Sequence, residues 1–150
     1  MTKLNLPGYP LQIREQGQSK QIFDAIRKKY VALTPEEWVR QHFIHYLISE
    51  KKYPIALIAV EASFEFNGLS KRCDILVYDR NFKPWLIVEC KAPKVTLDQK
   101  VFDQIARYNL KWNVGIFILT NGLQHFCCKM DHEKGEYIFL NEIPVIPLLP

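Results

Sequence analysis

A mixed sheet of strands with helices packed over it is the fold class this sequence predicts, and three observations carry the prediction. Two short runs rich in apolar, branched and aromatic residues, 73–78 and 85–90, flank a polar turn. Two stretches, 34–50 and 97–112, repeat apolar residues at helical spacing. A further pair of apolar runs, 114–120 and 123–130, meets at Asn121-Gly122, a dipeptide suited to tight reversal. At 150 residues, 48% of them apolar, the chain has the size of one domain with one core. It is read as a single domain over 1–150.

The elements follow in chain order. Residues 1–19 hold Pro7, Gly8 and Pro10 and little periodicity, so an extended lead-in is expected, ordered where it docks. Over 21–33, Ile22, Ile26, Tyr30 and Leu33 suit a helix, whereas Ile22-Phe23 and 30–33 suit a hairpin around Arg27-Lys28-Lys29; the hairpin is preferred. Thr34 as N-cap, Pro35 at the first helical position and Glu36-Glu37 in the first turn begin a helix that runs to about Glu50. Val39, Phe43, Tyr46 and Leu47 share a face; Glu36 falls within it and Glu37 to its flank. Glu36 is therefore expected to point inward, with Arg40 one turn on to pair with it. His42 and His45 fall away from that stripe and lack a third ligand at useful spacing, so they make no metal pair.

Residues 55–60 suit either a strand or a last helical turn. Alternation over 61–66 predicts a strand with Glu61 and Glu65 toward solvent, and Asn67-Gly68 turns it into the run that starts at Cys73. That run and the next form the central hairpin, with Asp79, Arg80, Asn81, Lys83 and Pro84 supplying the turn. In a symmetric register Asp74 lies opposite Glu89, Leu76 opposite Ile87, and Tyr78 opposite Trp85. Alternation then places Asp74, Leu76, Tyr78, Trp85, Ile87, Glu89 and Lys91 on one face and only apolar residues on the other.

Two carboxylates opposed across a ladder lie about 5 Å apart and repel, and burial makes an unpaired charge costly. A divalent cation offsets that cost: Mg²⁺ takes one or two carboxylates and keeps waters for a substrate phosphate. Lys91, two residues beyond Glu89, would stand beside the ion, where an ammonium holds a water and balances charge on phosphate. A structural Asp/Glu/Lys cluster is the alternative.

After Pro93, residues Leu97, Val101, Ile105, Tyr108 and Trp112 mark a second amphipathic helix, with Gln104 and Tyr108 one turn apart on one side. A strand over 114–120, its partner over 123–130 and an edge strand over 135–140 complete the sheet. The tail, 143–150, has Pro144, Pro147 and Pro150, which bars an inner strand; it is expected to lie across an apolar groove.

At Asp74 and Glu89-Cys90-Lys91 the sequence resembles the PD-(D/E)xK nuclease superfamily, and most closely the N-terminal nuclease domain of type I restriction enzyme R subunits. Cys73 stands where the motif's name has Pro, which many members also lack. The resemblance spans about Thr34 to Met130 and implies a restriction-endonuclease-like αβββαβ core. It implies Mg²⁺ or Mn²⁺ held by Asp74, Glu89 and the carbonyl of Cys90, with Glu36 as an accessory ligand. It implies that Lys91 assists water attack on a DNA phosphodiester, and that Gln104 and Tyr108, matching a QxxxY motif, position Lys91 or the DNA backbone.

The formal charge of +4, with clusters at 27–29, 51–52 and 71–72, suits a polyanionic partner. Arg40, Lys71, Arg72, Lys94 and Lys100 are the candidate DNA contacts. No GxxxxGK[ST] occurs, so no P-loop motor is encoded by that route. Neither a long apolar span nor a signal peptide is visible, and Cys73, Cys90, Cys127 and Cys128 show no metal spacing. A cytoplasmic protein with reduced thiols is expected. The functional expectation is a metal-dependent DNA nuclease. The alternatives are a catalytically silent nucleic-acid-binding or docking module, and a nuclease subunit that needs a separate ATPase or specificity chain.

Overall fold

Six strands in sequence order form the main sheet: β4 (Ile58–Phe66), β5 (Leu69–Tyr78), β6 (Pro84–Cys90), β7 (Ile116–Thr120), β8 (His125–Asp131) and β9 (Glu136–Leu140). The structure is a computed structural model that describes residues 1–146. Neighbouring strands are antiparallel except β6 and β7, which are parallel. A parallel pair needs a long crossover, and helix α2 (Gln99–Asn109) supplies it. Helix α1 (Pro35–Ser49) precedes the sheet, so α1, β4–β6, α2 and β7 run in the expected αβββαβ order. The fold is a mixed α/β sheet of the restriction-endonuclease-like kind.

Local chemistry starts both helices. Thr34 Oγ1 accepts from the Glu37 amide at 3.0 Å, and Asp98 Oδ1 accepts from the Val101 amide at 2.8 Å. Each helix covers one face of the sheet. Val39, Phe43 and Leu47 of α1 pack with Ile75, Val77, Leu86 and Val88, while Phe102 and Ala106 of α2 pack with Leu76, Ile87 and Phe117.

A second, three-stranded antiparallel sheet precedes α1: β1 (Ile13–Gln16), β2 (Ser19–Asp24) and β3 (Lys29–Ala32). The β2–β3 hairpin answers the ambiguity over 21–33, whereas β1 lies inside the stretch read as a lead-in. The first residues dock as extended chain: Leu4 is buried, Trp38 Nε1 donates to the Thr2 carbonyl at 2.8 Å, and the Asn5 amide donates to the Gly122 carbonyl at 2.8 Å. Residues 55–57 form a single 3₁₀ turn before β4. In the tail Ile143 and Ile146 are buried against the α1-side core, and the Tyr53 hydroxyl donates to the Pro144 carbonyl. Pro147 and Pro150 lie outside the described residues.

The small sheet corrects the reading of α1. Glu37, not Glu36, is buried, and Glu36 is exposed. The helix has a second covered side, because Asp24 and Arg27 of the β2–β3 hairpin bond Gln41 and Glu37. A single apolar stripe does not describe a helix gripped from two directions. His42 is buried as well, its Nδ1 2.8 Å from the Trp38 carbonyl and its ring edge-on to that indole.

The central hairpin pairs Ile75 with Val88, Leu76 with Ile87 and Val77 with Leu86, the expected register. It slips at Val77/Tyr78, so Tyr78 meets Pro84 rather than Trp85, and Trp85 turns to the α1-side core. A second departure lies at Asp74. Ile75 and Val60 belong to the α1-side core, yet Cys73 and Ala62, two residues away on the same strands, pack on the α2 side. Between them Glu61 has φ +50, and the β4–β5 ladder passes from Val60↔Ile75 to Ala62↔Cys73. Both strands change face here, as a bulge-like irregularity allows. Asp74 therefore leaves the Leu76 face and reaches α1.

Candidate active site

Asp74 and Glu89 occupy the positions next beyond the Ile75↔Val88 pair, and both line a cavity of about 70 Å³ with Lys71, Cys73 and Asn109. Their side chains are 29% and 31% exposed, so both carboxylates are open to a ligand from solvent. Asp74 Oδ2 accepts the Cys90 amide at 2.7 Å, tying the end of β6 to β5. Arg40 Nη2 lies 3.5 Å from Asp74 Oδ1, and Lys91 Nζ lies 3.7 Å from Glu89 Oε1. The repulsion expected between the opposed carboxylates is thus offset by two of the chain's own cations. Charge balance alone therefore does not require a metal at these carboxylates.

Arg40 itself is buried and does not meet Glu36. Its Nη1 lies 3.5 Å from Glu37 Oε1 and 3.2 Å from Glu61 Oε1. A buried guanidinium held by three carboxylates is a fixed internal charge, which corrects the reading of Arg40 as a surface contact for DNA. Glu61 faces solvent as expected, its side chain 40% exposed, and is at the same time ringed by Arg27 at 3.0 Å, Arg40 at 3.2 Å and Arg72 at 3.4 Å. Burial raises the Glu61 pKa, but the hydrogen bond from Arg40 and the charges of Arg40, Arg27 and Arg72 outweigh it and hold the carboxyl below its ordinary value.

Backbone chemistry fixes the segment that carries Lys91. The Lys91 amide donates to the Thr120 carbonyl at 2.8 Å, and Asn121 Nδ2 donates to the Val95 carbonyl at 2.8 Å. Asn121 Oδ1 accepts from the amides of Leu123 and Gln124. A residue read only as turn chemistry therefore clamps the Lys91 loop. The Asn-Gly signal marked the position, but nothing in the sequence pointed from Asn121 to Val95.

On α2 neither member of the expected pair lines the cavity. Gln104 is exposed in a shallow depression with Gln99, Lys100, Asp103 and Arg107. Tyr108 is 55% exposed, its ring 5.4 Å from Lys71 Nζ and 4.1 Å from Lys111 Nζ. Tyr108 thus meets a cation beside the site, while Asn109, which the sequence reading passed over, is the α2 side chain at the cavity. Lys94 and Lys100 are exposed, as is Arg72, and Lys71 is half-buried.

The sequence model of the type I restriction enzyme R protein N terminus matches residues 35–144. The chain belongs to this family. The match starts at the first residue of α1 and covers both helices and β4–β9, so the family's region contains Asp74, Glu89 and Lys91, while β1–β3 precede it. Membership makes this a restriction-related, nuclease-type domain. No curated protein matches the chain at a significant level. Among the described residues no helix is long and apolar enough to cross a membrane.

Proposed function

We propose that the chain is a metal-dependent DNA nuclease that hydrolyses phosphodiester bonds. The observation that carries the reading is the placement of Asp74 and Glu89 at one cavity of adjacent strands, half-open to solvent, with the Lys91 ammonium beside Glu89, inside a family named for a restriction enzyme. Among the described residues no three His, Cys, Asp or Glu side chains gather at one point. Two carboxylates nevertheless fit Mg²⁺, which takes one or two and completes its shell with water and phosphate. Each carboxylate oxygen also keeps a free lone pair beside its present partner. Asp74, Glu89 and the Cys90 carbonyl would hold the ion, while Glu36 is exposed on α1.

Bound there, Mg²⁺ or Mn²⁺ would supply Lewis-acid stabilisation of the attacked phosphate. The chain's own residues do the rest. Lys91 orients the attacking water and places positive charge where negative charge develops. The Cys90 amide and Arg40 fix the direction of Asp74. Lys71, Arg72, Lys94 and Lys100 engage flanking phosphates, and Tyr108 orders Lys71 against its ring. The family's R protein is one chain of a type I enzyme, so DNA is the proposed substrate, with a separate motor or specificity chain as partner.

One observation favours a second reading, a DNA-binding module without turnover: Arg40 and Lys91 already neutralise the carboxylates, so the cluster stands without metal. Titration calorimetry with Mn²⁺ separates the two. The nuclease reading expects saturable binding that Asp74→Ala and Glu89→Ala each abolish while the fold persists. Binding by both variants like the wild type defeats the metal site.

A further inference from the structure

The ion network that ends on Asp74 begins in the small sheet, ahead of the region that the family shares. Asp24, at the end of β2, is fully buried and accepts the backbone amides of Ile26 and Arg27 at 2.8 and 2.9 Å. Its Oδ2 takes Arg27 Nε at 2.6 Å and Gln41 Nε2 at 3.0 Å. Arg27 then forks away from the hairpin, Nη2 to Glu37 Oε1 at 2.8 Å and Nη1 to Glu61 Oε2 at 3.0 Å. Those two carboxylates are the ones that hold Arg40, and Arg40 holds Asp74.

Three features show a directed arrangement. Arg40 is buried with its Nε unpartnered, a costly state for a guanidinium that its contacts to Glu37, Glu61 and Asp74 must offset. Glu61 adopts φ +50, a left-handed conformation that side chains avoid, at the point where its carboxylate turns into the network and its strand changes face. The same change of face aims Asp74 at Arg40. Glu37, bonded by Arg27, Arg40 and Gln41, has its oxygens committed within the network and acts as a strut.

We infer that Arg40 is a positioning residue for Asp74, and that the β2–β3 hairpin, through Arg27, is the anchor that keeps Arg40 in place. The inference rests on the nuclease reading. Arg40 has two opposed effects there. It fixes the carboxylate that the metal uses, which favours turnover, and it sets a positive charge close to the ion, which weakens metal binding.

The test uses Arg40→Gln, Arg40→Lys and Glu61→Gln in the full chain, the last because Glu61 is part-exposed and its isosteric change spares the fold. Mn²⁺ affinity by calorimetry and steady-state cleavage of plasmid DNA, both per folded molecule, are the readouts. Arg40→Gln is expected to bind Mn²⁺ about tenfold more tightly and to lower kcat about tenfold or more, with KM for DNA within about twofold. Arg40→Lys should regain part of kcat, and Glu61→Gln, which loosens Arg40 and leaves its charge less neutralised, should lower kcat by less and weaken Mn²⁺ binding. A merely structural role changes only the folded fraction. Mn²⁺ affinity unchanged or weaker in Arg40→Gln, affinity raised in Glu61→Gln, or kcat unchanged in both, overturns the inference and leaves the nuclease reading standing. Wild-type protein that neither binds Mn²⁺ nor cuts removes that reading, and this inference with it. If it binds Mn²⁺ without cutting, the affinity shift alone decides.

Discussion

Replacing Arg27 with Met should destabilise the fold by about 3 kcal/mol at neutral pH. Removing one member of a buried ion pair typically costs about 3–5 kcal/mol, because the charge left behind has lost its water and its partner. Asp24 and Glu37, with side chains 0% and 8% exposed, are the charges left behind. The low end applies because Asp24 keeps Gln41 and two backbone amides, and Glu37 keeps Arg40 and Gln41. Glu61, 40% exposed, adds little. The penalty must also depend on pH. Burial raises the Asp24 pKa, but hydrogen bonds from the Arg27 backbone and guanidinium and from Gln41 more than reverse this, so its folded value lies below the ordinary one. A depressed carboxylate adds stability above its unfolded pKa, near pH 4, and loses it as pH falls through the folded value. In Arg27→Met that depression shrinks, so urea unfolding should show a gap from wild type that is widest at about pH 7 and narrows toward about pH 3. A gap under about 1 kcal/mol at pH 7, or one that does not narrow, refutes the account of the network.

Gly122→Ala should lower stability by about 2 kcal/mol, since φ is +85 and a Cβ would fall 2.7 Å from Leu4 Cδ2; an unchanged Tm would show that the docked N-terminal segment yields freely. None of the four cysteines should react with a thiol reagent in the native state, because burial raises Cys73, Cys127 and Cys128 to about 12 and pushes Cys90 well above its ordinary value. Modification of any of them at the rate of a free thiol contradicts the packing described. Tyr108→Leu should leave stability within about 0.5 kcal/mol, as the side chain is exposed, yet slow DNA cleavage by releasing Lys71; equal cleavage by both proteins removes the ring from the mechanism.

Sequence periodicity made the central hairpin legible because its interior residues alternate between two apolar faces, and pairs such as Leu76 with Ile87 follow from symmetry alone. The same rule misplaced Asp74. Alternation holds only while both strands keep a regular pleat, and the left-handed residue that breaks it, Glu61, lies on the neighbouring strand with nothing in its own identity to announce a positive φ. Glu37 escaped for a related reason. A helical wheel finds the side that meets the large sheet, whereas the small sheet approaches α1 through polar groups, Asp24 and Arg27, which leave no apolar stripe. Strand β1, with all four residues exposed, carried no burial pattern to read. Asn109 went unnoticed because an isolated amide in an amphipathic helix looks like surface, yet it is buried at the cavity. The charged residues of the site were visible as a motif, while the partners that hold them depend on tertiary packing.

Incubation of the purified chain with plasmid, linear and single-stranded DNA, with Mg²⁺ or Mn²⁺ and with EDTA, beside Lys91→Ala, tests the nuclease reading most directly. The wild type should cut only with metal. Lys91→Ala should bind DNA with the slope of log K against log salt changed by about one unit or less, because phosphate contacts are spread over several cations. It should cut about 10²–10³ more slowly, the typical loss on removing one transition-state donor. No metal-dependent cleavage of any DNA or RNA form, alone or with cell extract, together with equal binding by wild type and Lys91→Ala, would contradict the account.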